Sequence, residues 1–63
     1  MSTTRYIIAR GGGEIPLFWS RDGWQGNSYF ASRYESVDAA WVAIRALGLD
    51  KDHDDVRIEA RES

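Results

Sequence analysis

The chain lacks cysteine altogether and carries only one proline, one histidine and one methionine among its 63 residues. Without cysteine there is no disulfide, no thiolate–metal site and no catalytic thiol, and a reducing, cytoplasmic setting is expected. No apolar run approaches the roughly 20 residues of a membrane-spanning helix, so no membrane association is expected. The opening MSTTRY shows none of the basic-then-apolar pattern of a secretory signal. A basic footprint of the kind duplex-binding domains show is also missing. The formal net charge is −2 and unevenly spread: residues 1–35 carry four arginines against three acids, whereas residues 36–63 carry four cations against seven acids. The single imidazole, His53, sits in a charged stretch with no serine beside it, so no pair for nucleophilic catalysis is in view. A solvated loop position accounts for it, and no enzyme is expected.

What the chain does have is one clear helix. Ser36 offers a side-chain oxygen to cap free backbone N–H groups, and Asp38 puts a negative charge in the first turn, where the helix dipole favours it. Val37, Ala40, Trp41, Ile44 and Leu47 recur at three- and four-residue spacing as one apolar stripe. Gly48 supplies the left-handed residue that ends many helices. Three turns are marginal alone in water, so the stripe needs a sheet beneath it. Trp41 is accordingly expected in the core, and its truncation to unfold the domain.

The other segments read as strands. Thr4–Arg10 is rich in β-formers. The glycines 11–13 break it, and Ile15–Ser20 forms a second strand with Pro16 near its start. Ser20-Arg21-Asp22-Gly23 is a tight turn, its glycine placed for positive φ. Trp24 and a polar turn follow, and Tyr29–Tyr34 is a third, shorter strand leading to the helix cap. After Gly48 comes a charged loop, 49–55. In Val56–Arg61, apolar Val56, Ile58 and Ala60 alternate with charged Arg57, Glu59 and Arg61. The expectation is a single α+β domain over residues 1–63, near the lower size limit for a core without staples. Its order is β-β-β-α-β: an antiparallel three-stranded meander, one helix packed on one face, and a final strand. That strand is expected to run parallel to the first through a right-handed crossover.

One short helix cannot cover both faces of such a sheet. The first strand is apolar on both parities, and in the second Phe18 lies opposite Leu17 and Trp19. Accessible apolar surface is therefore expected around Phe18, Trp24 and Tyr29, the kind of patch that marks partner surfaces. Loops, the N-terminal tail, a second copy of the chain as a homodimer, or an unrelated protein are the candidate covers.

Cofactor and metal motifs fail on inspection. A phosphate loop needs a Gly-Lys-Ser/Thr that does not follow the glycines, and the dinucleotide fingerprint would need glycine where Pro16 stands. The carboxylates of Asp50, Asp52 and Asp54 alternate like the start of a calcium loop. The required glycine at its sixth position and glutamate at its twelfth are Asp55 and Arg61. No cofactor and no metal are expected. Asp50, Asp52, Asp54 and Asp55, continued by Glu59, are either a solvated acidic segment or a contact for a basic partner surface, which they would steer towards them.

From TRYIIAR through SVDAAWVAIRALG to VRIEAR, this short, cysteine-free, aromatic-rich layout resembles the small proteins of phages and mobile elements, and among them the anti-CRISPR proteins. The resemblance implies a non-enzymatic inhibitor that binds a CRISPR effector complex and blocks its access to DNA. Asp50, Asp52, Asp54 and Asp55 with Phe18 and Trp24 would then press on a basic surface, and Tyr29 and Glu59 would extend the contact. The modest net charge favours a mixed aromatic and acidic contact over full DNA mimicry. The alternative is a nucleic-acid-binding module that uses its sheet face, with Arg5, Arg10, Arg21 and Arg33 on phosphates and Trp19 or Trp24 on bases.

Overall fold

A computed structural model of the chain describes residues 3–11 and 16–62. Four strands, β1 (Thr4–Arg10), β2 (Leu17–Ser20), β3 (Gly23–Gln25) and β4 (Arg57–Glu62), form one sheet in the order β3-β2-β1-β4. The helix α1 (Val37–Leu47) and a single turn of helix α2 (Leu49–Asp52) lie between β3 and β4 in the chain. The architecture is the α+β domain that the pattern predicts, with β1 as a central strand. Of the second expected strand, Ile15 lies outside the described residues, as do Gly12 and Gly13 of the glycine run.

Local chemistry sets the boundaries. Ser36 Oγ accepts from the Ala39 N–H at 3.0 Å, and Gly48 closes α1 at φ +69° while its N–H returns to the Arg45 and Ile44 carbonyls. The β2–β3 hairpin turns through Arg21 and Asp22, and Gly23 takes the positive φ of +112° that a side chain would resist. Ser20 Oγ donates to the Gly23 carbonyl at 2.8 Å and accepts from the Asp22 N–H, pinning the hairpin from inside.

The third strand lies earlier than expected. Gly23–Gln25 pairs with β2, placing Trp24 directly opposite Trp19. Tyr29–Tyr34 is not a strand. Ser28–Phe30 is a 3-10 turn capped by Asn27, and only Tyr34 makes a bridge, to Tyr6. The stretch bridges β2 and β1: Ser32 N–H donates to the Trp19 carbonyl at 2.9 Å, and Tyr34 and Tyr6 exchange both backbone bonds at 2.8 Å. That antiparallel pass reverses the chain once before α1. As a result β4 runs antiparallel to β1, not parallel, with Tyr6 opposite Ala60 and Ile8 opposite Ile58.

Pairing register divides the sheet into two faces. On one, Ile8 meets Ala40, Ile44 and Leu49, with Trp19, Trp24, Tyr34, Ala43, Val56 and Ile58 packed around them. On the other, Ile7, Ala9 and Phe18 are buried with Ala31. Leu49, expected in a charged loop, is therefore core: it follows the capping glycine, where a side chain folds back on Ile44. The helical phase also differs from expectation. Ala40 and Ile44 are buried, but Trp41 is 41% exposed and Val37 and Leu47 are exposed too. Small Ala40 and Ala43 let the helix approach the sheet along their own line, which rotates Trp41 to the flank.

Ile44 and Trp41 should respond differently to truncation. Ile44→Ala removes a fully buried side chain and should cost about 2–5 kcal/mol, close to the whole stability of a domain this small. Trp41→Ala should leave a folded protein with a cooperative thermal transition. A Trp41→Ala variant unfolded at room temperature by circular dichroism would show that the helix sits differently.

Candidate functional site

The segment that crosses the Ile7 face is the place to start. Asn27 Oδ1 accepts from the Tyr29 N–H at 2.9 Å, the Ala31 N–H returns to Ser28, and Ser32 is tied to Trp19. Ala31 is buried against Ile7, Ala9 and Phe18. With Ala31 turned in, the two preceding side chains turn out. Tyr29 is 76% and Phe30 62% exposed, and the rings pack on each other edge to face with centroids 5.5 Å apart. Beside Phe30, the hairpin residues Ser20, Arg21, Asp22 and Gln25 complete an open recess of about 300 Å³. An aromatic wall with a cation, a carboxylate and an amide on its rim is suited to holding a side chain of a partner.

The residues singled out from the sequence divide three ways. Phe18 is only 6% exposed: the 28–31 segment covers it, and the Arg61 guanidinium lies 6.0 Å from its ring centroid. It is not a surface anchor. Trp24 is half-buried on the helix side, not on the opposite face. Its ring meets Trp19 edge-on at 5.4 Å and His53 at 5.8 Å, and Arg10 lies over it at 5.2 Å. His53 is accordingly a half-buried packing residue and not a solvated one. Tyr29 is where accessible aromatic surface was expected. Its neighbour Phe30 was missed, because the stretch reads as strand.

The acidic residues do not act as one cluster. Asp50 and Asp54 are exposed, and the Asp52 side chain lies outside what the structure describes. Asp55 Oδ2 accepts from the Gly11 N–H at 2.8 Å, while Arg57 Nη1 donates to the Gly11 carbonyl at 2.9 Å. The two side chains clamp both polar backbone groups of Gly11, the residue that follows β1. Glu59 lies on the opposite face of β4 from Ile58, shared between Arg57 Nε at 2.8 Å and Arg61 Nη2 at 2.9 Å. Its charge is met locally, and with Arg5 opposite Arg61 that part of the sheet is net positive.

The nucleic-acid alternative loses its base contacts, since Trp19 and Trp24 both belong to the helix-side core. Arg10 is half-buried over Trp24, with its Nε buried and without a hydrogen-bond partner, so its guanidinium is engaged with the ring. Arg21 and Arg33 remain exposed. Among the described residues no three His, Asp or Glu side chains are grouped to hold a metal ion. No helix of the described residues is long and apolar enough to cross a membrane. Burial pushes the Tyr34 phenol up from 10.0, opposed in part by a side-chain hydrogen bond with Ser32. Folding thus favours the neutral phenol. That contribution is intact below about pH 10 and is lost as pH rises through the raised value.

The chain matches no protein-family model, no curated protein and no solved structure.

The aspartates should separate experimentally. Asp55→Ala breaks the Gly11 clamp and should cost about 1 kcal/mol, lowering the melting temperature by about 4–8 °C in a domain of this size. Asp50→Ala should leave it unchanged. Equal melting temperatures for the two variants would remove the structural role assigned to Asp55.

Proposed function

We propose that the chain is a non-enzymatic binding domain that acts by occupying a surface of another protein. The observation that carries this reading is the outward Tyr29–Phe30 pair: two large rings packed on each other and not on the core, on a turn whose backbone is bonded at Asn27 and at Trp19. Aromatic side chains on a pre-ordered backbone lose little freedom on docking and are among those that dominate contact energy. The recess beside Phe30, with Arg21, Asp22 and Gln25 on its rim, supplies the polar contacts that fix orientation. The non-enzymatic part of the reading is supported by His53, the one imidazole of the chain, standing edge-on to Trp24.

The more specific form is an inhibitor that sits on a nucleic-acid-processing complex, as the resemblance to anti-CRISPR proteins implies. The exposure of Asp50 and Asp54 supports it, since free carboxylates favour approach to a basic surface. With Phe18 covered and Glu59 compensated, the contact in this form is aromatic first and acidic second.

The test is a comparison of retained proteins. Tagged wild-type chain and the Tyr29→Ala/Phe30→Ala variant are each passed through lysate of the source organism's cells. The variant should melt as the parent does, because both rings are exposed, and should lose a protein that the parent retains. Identical retention by the two would contradict a contact at this turn. For the specific form, stoichiometric wild-type chain should suppress target-DNA binding by a CRISPR effector and the variant should not. Full DNA binding in the presence of excess chain, across the effectors of the source organism, would sink that form alone.

A further inference from the structure

The outer face of α1 has a pattern that matches itself when the helix is reversed. At about 3.6 residues per turn, Asp38 and Arg45 lie in one row on the side away from buried Ala40 and Ile44, with Trp41 and Val42 flanking that row. All four are exposed, Val42 at 66%. Neither Asp38 nor Arg45 has an ion-pair partner among the described residues. The two charges stand about one turn to either side of the midpoint between Trp41 and Val42.

We propose that α1 packs antiparallel against α1 of a second copy of this chain, about a two-fold axis through that midpoint. In this register Asp38 of each copy meets Arg45 of the other, and each flank meets its own copy, Trp41 beside Trp41 and Val42 beside Val42. The ion pair occurs twice and each apolar flank meets itself across the axis, as a closed two-fold interface requires. A parallel pairing would set Asp38 on Asp38 and Arg45 on Arg45, which like-charge repulsion disfavours. Self-complementarity of charge and apolar surface about one point selects a second copy over an unrelated partner. The helix face is only about 16 Å long, so the dimer belongs to the weak, reversible class. Since α1 covers the Ile8 side of the sheet and Ala31 the Ile7 side, dimerisation leaves both Tyr29–Phe30 pairs free.

Sedimentation equilibrium from micromolar to millimolar concentration tests this. The wild-type mass should climb towards twice the monomer mass. Val42→Glu, at a position outside the core, should stay monomeric with an unchanged thermal transition. Asp38→Arg alone should weaken association by about tenfold, and the Asp38→Arg/Arg45→Asp double variant should recover it. A wild-type mass that stays monomeric over the whole range would overturn the proposal. So would a Val42→Glu variant that dimerises like the parent, or a folded double variant that fails to recover association.

Discussion

Strand β1 is buried on both faces, and the rest of the fold answers to that constraint. Ile7, Ile8 and Ala9 are consecutive and at most 1% exposed, so the side chains alternating across the strand need cover above and below. Each large side chain taken from water contributes roughly 1.5–3 kcal/mol, and a domain of this size has few such residues to spare. The helix supplies one cover through Ala40 and Ile44. The other is the 27–34 segment, which has little regular structure and would be read as a connection if Ala31 were not packed on Ile7 and Phe18.

The exposed aromatic turn follows from that second cover. Placing the small Ala31 against the sheet lets the backbone approach closely, and the 3-10 turn before it then projects Tyr29 and Phe30. The same segment decides the topology, because its antiparallel bridge at Tyr34 sets the direction from which α1 and then β4 return. Architecture and candidate contact surface are thus two outcomes of one crossing.

Features governed by near neighbours were legible in the sequence. The limits of β1, the Ser36 cap, the left-handed Gly48 and the positive φ of Gly23 each depend on a few adjacent residues, and each stands where the pattern puts it. Features that depend on distant partners were not. The inner line of α1 is drawn by alanines, which carry little hydrophobic signal, so Trp41 looked like the centre of the stripe. A three-residue strand around Trp24 is too short for alternation to register, and the single bridge at Tyr34 leaves no pattern. Leu49 was within reach, since an apolar residue just after a capping glycine commonly folds back on the helix. Of the candidate site, Tyr29 was legible as excess aromatic surface. The burial of Phe18 and the clamp made by Asp55 were not, because each depends on a residue far away in the chain.

Native-state hydrogen exchange tests the central claim most directly. If the 27–34 segment is a true second cover, the Ser32 and Tyr34 amides, bonded to Trp19 and Tyr6, should be protected to the same degree as the inner amides of β1 and should open with them. Exchange of Ser32 and Tyr34 at unstructured rates, while β1 and α1 stay protected, would show that β1 is sheltered on that side by something else and that the aromatic turn is not held in place.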